Sequence, residues 1–227
     1  MKDIILLHGA IGAADQLEPL AEALAQKQFR IHHFSFSGHG HLPFAGRFGI
    51  EQFAQELEQV ITEKRLEQPA VFGYSMGGYV ALYLAKTKPG LIGKIMTLGT
   101  KFSWSPEIAA KEVKMLDAAT IREKVPKFAV ALEARHGGTW EVLLQKTADM
   151  MIGLGNDPVL KEADLATIAH PTWIGLADQD NMVSLEETRT AFKQLQQGSM
   201  YMLPNTKHPI ETVNPELLSE IIRQHLT

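Results

Sequence analysis

Ala70-Val71-Phe72-Gly73-Tyr74-Ser75-Met76-Gly77-Gly78 is the stretch that decides the fold. A short apolar run with a β-branched centre predicts a buried strand, and Met76 to Lys86 carries a helical pattern. The pentapeptide Gly73-Tyr74-Ser75-Met76-Gly77 therefore falls where a strand hands over to a helix. A G-x-S-x-G turn in that position is a nucleophile elbow. Its glycines permit a turn so tight that the serine is held strained, with its hydroxyl lifted above the sheet edge. The backbone N–H of Met76, at the start of the helix, then points to where an oxyanion would form. At the Gly and Ser frequencies of this chain, chance supplies about 0.05 such pentapeptides per sequence.

Outward from the elbow, strands and helices alternate. Ile4 to Leu7 predicts a strand, followed by a glycine-containing loop from His8 to Gly12. Asp15 can cap a helix running to about Gln28, and Ile31 to Phe36 predicts a second strand. Ile50 to Leu66 is an amphipathic helix, and Lys94 to Leu98 a fourth strand after Ala70 to Phe72. This rhythm implies right-handed crossovers and an α/β fold, a mostly parallel sheet with helices on both faces. From Lys101 to about Thr167 only helical patterns appear. Strand patterns resume at Thr172 to Leu176 and Met200 to Leu203, with helices at Glu186 to Gln196 and Pro215 to His225. Residues 1–100 and 168–227 thus read as one α/β core, and 101–167 as a helical cap inserted after the fourth strand.

Composition narrows the chemistry. The chain has 227 residues and no cysteine, which excludes disulfides, thiolate metal sites and a cysteine nucleophile. A hydrophobic content of 45% against 21% charged residues describes a globular chain. The net charge of −4 offers no general attraction to nucleic acid. No window approaches the ~18 apolar residues of a membrane span, and the four-residue apolar run near Met1 is too short for a secretory signal. A soluble, cytoplasmic protein acting on a small molecule is expected.

Serine attacks well only when a base takes its proton and an acid orients that base. After such an elbow the acid precedes the histidine in the chain. Three histidines lie beyond Thr139: His170, His208 and His225. His170 enters a strand before Pro171, and His225 reads as an ordinary surface position in the last helix. His208 sits in the loop Pro204 to Pro209 past the last strand, where active-site loops gather, and is the expected base. Asp178 and Asp180 both follow the strand ending at Leu176, so either could orient it.

At these residues the chain closely resembles the α/β-hydrolase superfamily. Ala177-Asp178-Gln179-Asp180-Asn181-Met182-Val183 is similar to that family's G-D-x-D-x-x-V acid loop, with Ala177 where glycine is usual. The resemblance points to Asp180 as the acid, while the spacing from Gly175 to Asp178 keeps Asp178 as the alternative. Leu7-His8-Gly9-Ala10 looks like the family's H-G loop, whose next residue, here Ala10, supplies the second oxyanion N–H beside Met76. Ser37-Gly38-His39-Gly40 and His208-Pro209-Ile210-Glu211 resemble two further family loops. The chain reaches its H-G strand almost at once, which implies about six strands.

The resemblance implies a serine hydrolase with Ser75, Asp180 and His208 as its triad, requiring no cofactor and no metal. Its substrate would be a carboxylic ester or thioester of a small, partly apolar molecule. Carbon–carbon bond hydrolysis, acyl transfer and non-catalytic ligand sensing are alternatives on the same fold. The histidines of the first fifty residues lack a metal-ligand spacing, and adjacent His32 and His33 point to opposite faces of a strand. In the cap, Met115-Leu116 and Met150-Met151 suggest an adaptable apolar surface for an acyl group.

Overall fold

Ile4-Ile5-Leu6-Leu7 forms the centre of the molecule. Successive side chains of a strand face opposite ways. Here Ile4 and Leu6 join one buried cluster while Ile5 and Leu7 join another. The strand must therefore be covered on both faces, which accounts for its continuous apolar run. The computed structural model describes residues 2–26 and 29–226. Their strands are β1 (Lys2–Leu7), β2 (Phe29–His33), β3 (Ala70–Tyr74), β4 (Ile95–Leu98), β5 (Thr172–Ala177) and β6 (Gly198–Leu203). They make one sheet in the order β2-β1-β3-β4-β5-β6, with every neighbouring pair parallel.

Helices α1 (Glu18–Ala25) and α10 (Pro215–Leu226) cover the face carrying Ile4 and Leu6. Helices α2 (Ile50–Glu63), α3 (Met76–Thr87) and α9 (Leu185–Gln194) cover the other. The amphipathic spacing of α2 buries Phe53, Ala54, Leu57 and Ile61 there. The chain leaves β1 towards β2 on one side and returns to β3 on the other. That reversal opens a crevice beyond the carboxyl ends of β1 and β3, where α/β sheets gather their ligands.

Between β4 and β5 come α4 (Pro106–Glu112), α5 (Ala118–Lys124), α6 (Pro126–His136), α7 (Trp140–Asn156) and α8 (Glu162–Leu165). Ser105 caps α4 by accepting the Ile108 N–H at 3.2 Å, and Asp117 caps α5 by accepting that of Thr120 at 2.7 Å. Ile121, Ala129, Leu132, Trp140 and Leu144 form their own small core, onto which Ile11 of the β1 loop packs. Leu154, Leu160 and Leu165 instead join the main core, so the chain rejoins the sheet before Thr167.

Several local expectations need correction. Asp15 does not cap a helix: a 3₁₀ turn spans Ala14–Leu17, and Asp15 pairs with Arg135 at 3.0 Å. The α-helix begins at Glu18 because Pro19 fits only its first turn. Its expected end at Gln28 lies outside the described residues. The second strand runs from Phe29 to His33 rather than from Ile31 to Phe36. Its pairing ends at Leu6–His33, and the Phe36 N–H turns to the His8 ring instead of a neighbouring strand. Helix α2 stops at Glu63, with Arg65 in a left-handed conformation (φ 53°) before Leu66.

Candidate active site

The loops after five strands, β1, β3, β4, β5 and β6, converge on one cavity. Ser75, between β3 and α3, has φ 51° and ψ −117°, the strained conformation expected of an elbow. Only glycine fits around it. A Cβ on Gly73 would lie 2.5 Å from the Gly77 carbonyl, and one on Gly77 would lie 2.5 Å from the Leu7 carbonyl oxygen. The elbow is held from behind as well: the Ser75 N–H donates to the Leu98 carbonyl at 2.8 Å, and the Thr100 hydroxyl donates to the Ser75 carbonyl at 2.9 Å.

Of the two aspartates after β5, Asp180 meets the histidine. Its Oδ2 lies 2.7 Å from His208 Nδ1, with the two side chains 1% and 7% exposed. Asp180 Oδ1 accepts the N–H groups of Met182 and Val183 at 2.8 and 2.9 Å. Burial pushes the Asp180 carboxyl up, but His208 and these two amides outweigh it and hold the pKa below the usual aspartate value. Such a carboxylate fixes the imidazole with its proton on Nδ1 and leaves Nε2 free to accept one. Asp178 has a different task. It accepts the N–H groups of Asn205 and Thr206 at 2.9 and 3.0 Å, and so ties down the loop that carries His208.

Ser75, Met76, Ala10 and His208 border a common cavity of about 50 Å³. No hydrogen bond joins Ser75 to His208; such contacts are commonly long in unliganded sites and tighten around substrate. The backbone bonds of the elbow use the amides of Ser75, Gly78 and Tyr79, and those of Ala10 and Met76 are not among the donors. The segment between β4 and β5 contributes Trp104, Met150, Met151 and Leu154 to the cavity wall, among others. Met115 does not reach it: that side chain is 52% exposed, while Leu116 packs in the small core. His170 and His225 are engaged elsewhere. His170 Nε2 accepts the Gly90 N–H at 3.4 Å, and His225 is half-buried, stacked on Trp173 at 5.2 Å, rather than freely exposed.

Sequence reasoning missed three supports of the site. Gly99 (φ +62°) backs the Asp180–His208 pair: a Cβ there would lie 3.2 Å from His208 Nδ1 and 3.3 Å from Asp180 Oδ2. The Tyr74 hydroxyl donates to the His208 carbonyl at 3.0 Å, its ring 5.5 Å from the imidazole. Lys101 enters the cavity wall opposite Glu112. The position of Gly99 at the end of a strand was the available signal for the first; the other two carry no motif.

His8 and His39, in the two glycine-containing loops, are both fully buried. Burial pushes the His8 pKa down to about 4, so the ring is neutral. Its Nδ1–H donates to the Gly9 carbonyl at 2.7 Å and its Nε2 accepts the Phe36 N–H at 3.1 Å. His136, reaching over from α6, donates from Nε2 to the Ile11 carbonyl at 3.0 Å and accepts the Gly40 N–H at 2.9 Å.

A strained serine at a strand–helix elbow, with a buried carboxylate–imidazole pair after later strands, invites comparison with known proteins. A profile described as alpha/beta hydrolase fold matches residues 3–140, more than half of the chain. The chain belongs to this family. It is 29% identical over 110 residues to a pimeloyl-[acyl-carrier protein] methyl ester esterase from Aliivibrio salmonicida (strain LFI1238), a match covering 48% of this chain and 39% of that one. A thermostable monoacylglycerol lipase from Bacillus sp. (strain H-257) is 25% identical over 187 residues, covering 79% of this chain and 71% of the lipase. The alpha/beta hydrolase chain thus spans less than half the length of the first of these relatives. Among solved structures, a thermophilic esterase from Thermogutta terrifontis superposes with a TM-score of 0.78 at 20% identity, covering 100% of this chain and 89% of that one. An enol-lactonase from Burkholderia xenovorans LB400 superposes with a TM-score of 0.78 at 16% identity, covering 99% and 91%. Both attest the fold alone. No described helix is long and apolar enough to cross a membrane.

Proposed function

We propose that this alpha/beta hydrolase is a serine hydrolase that cleaves a small carboxylic ester or thioester through an acyl-enzyme. The observation that carries the reading is the buried Asp180–His208 pair sharing one cavity with a strained Ser75. Ser75 Oγ attacks the carbonyl as His208 Nε2 takes its proton; His208 then returns that proton to the leaving alcohol or thiol. Asp180 holds the tautomer and stabilises the imidazolium, and the N–H groups of Ala10 and Met76 receive the oxyanion. Water, activated by the same His208, releases the acid. The esterase and lipase relatives support ester chemistry.

The cavity supports a narrower substrate class. Its walls are mostly apolar apart from the paired Lys101 and Glu112, and suit an uncharged, apolar acyl group. Residues 101–167 act as the cap that closes this space over Ser75.

A fluorophosphonate probe tests the reading directly. Covalent labelling at Ser75 that disappears in His208→Ala is the expected result, together with turnover of acetyl or butyryl esters. A folded sample that neither labels nor turns over would overturn it and favour a ligand-sensing role.

A further inference from the structure

We infer that Lys101 is a positioning residue that ties the cap to the loop carrying Asp180. The inference rests on the Ser75–His208–Asp180 reading above. Lys101 Nζ donates to the Met182 carbonyl at 2.9 Å and pairs with Glu112 Oε1, on α4, at 3.2 Å. Met182 is thereby held at both ends, because its own N–H donates to Asp180 Oδ1 at 2.8 Å. Asp180 Oδ2 in turn meets His208. A continuous path runs from Glu112 through Lys101, Met182 and Asp180 to His208, each link 3.2 Å or shorter.

A purely structural role accounts poorly for these charges. The Lys101 and Glu112 side chains are 16% and 8% exposed, and they stand in the cavity wall beside the apolar Trp104, Met150, Met151 and Leu154. Desolvating two charges is costly, and a well-packed apolar pair at such a position is often at least as stable. Neutralising Glu187, whose Oε2 lies 3.9 Å from Lys101, is not the reason either. Glu187 already accepts the N–H groups of Phe102 at 3.1 Å, Ser103 at 3.3 Å and Ser184 at 3.0 Å. What an apolar pair cannot supply is a donor for the Met182 carbonyl. Without it the turn from Asp180 to Val183 keeps its internal bonds but loses its anchor to the cap, and the carboxylate is free to drift from His208.

The test must separate positioning from stability. Lys101→Met alone strands the Glu112 carboxylate and can fail to fold, so the informative protein is the double variant Lys101→Met with Glu112→Leu. It removes both charges and leaves neither unpaired. The expected double variant melts near the wild type, yet kcat on a short-chain ester falls about 10- to 100-fold while KM changes little. The low-field proton resonance of the His208 Nδ1–H, assigned by its loss in Asp180→Asn, broadens or shifts. A folded double variant with wild-type kcat and an unchanged resonance would overturn the inference and leave the pair a structural tie. Full activity in Ser75→Ala would overturn the triad reading itself, and the inference with it.

Discussion

His8 Nδ1–H donates to the Gly9 carbonyl oxygen at 2.7 Å, and that carbonyl belongs to the same peptide unit as the Ala10 N–H. A peptide is planar, so fixing its oxygen fixes the direction of its N–H. A fully buried histidine outside the cavity lining thus aims one of the two proposed oxyanion donors. Removing an oxyanion donor outright costs about 10²–10³ in kcat. His8→Ala leaves the donor present but unaimed, and is expected to lower kcat about tenfold. It also orphans the buried Phe36 N–H, at a cost of about 1–3 kcal/mol. Steady-state kinetics and thermal melting of the same sample check both halves; wild-type kcat in a folded His8→Ala would refute the aiming role.

The two aspartates of the acid loop are expected to separate cleanly. Asp180→Asn keeps the shape but removes the charge facing His208, and kcat is expected to fall by about 10⁴. Asp178→Ala instead frees the amides of Asn205 and Thr206. That change is expected to lower the melting temperature and reduce kcat only a few-fold. Equal losses in the two variants would mean that Asp178 shares the chemistry.

The sheet was legible because β1, β3, β4 and β5 are short apolar runs, and burial on both faces leaves little else for such runs to do. Ser75 was legible because the elbow writes its strain into Gly73 and Gly77. The choice of Asp180 over Asp178 rested on the resemblance of the loop alone: both follow the same strand two residues apart, and the fold of the turn brings Asp180 to face His208. Lys101 and Tyr74 were invisible for a related reason. Lys101 donates to the carbonyl of Met182 and Tyr74 to that of His208, both far away in the chain, and a backbone carbonyl leaves no trace in residue type. Phe34 to Phe36 misled because a β-propensity pattern cannot report where the neighbouring strand ends.

Low pH should unfold this protein through its histidines before its carboxylates. The His8 pKa is depressed from 6.5 to about 4, and burial lowers those of His39 and His136 as well. Below pH 6.5 the unfolded chain takes up protons that the folded chain refuses, so stability declines as pH falls from about 6.5 towards 4. For His8 alone the shift corresponds to about 3 kcal/mol at the bottom of that window. Asp180, whose folded pKa is lowered, adds its own loss only at still lower pH, as it becomes protonated. Denaturant midpoints measured from pH 8 to pH 4 are expected to hold steady down to about 6.5 and then drop. A curve flat to pH 4 would mean that these rings are protonated in the fold.

Trp104 forms a wall between two spaces. It borders the cavity at Ser75 and also a groove of about 260 Å³ between α4, α8 and α9, lined by Ile108, Leu160 and Thr190 among others. Its ring packs against the main core, and its buried Nε1 has no hydrogen-bond partner, so truncating it breaks no polar contact. Trp104→Ala is therefore expected to join cavity and groove, extending the room for an acyl chain without disturbing Ser75 or His208. Each methylene accommodated in a hydrophobic pocket is worth about 1–3 kcal/mol. The ratio of kcat/KM for an octanoyl ester to that for a butyryl ester should accordingly rise at least about tenfold, while butyryl turnover stays close to wild type. An unchanged ratio in a folded variant would mean that the acyl chain leaves the cavity by another wall, with Met150 and Met151, on the facing helix α7, the next side chains to truncate.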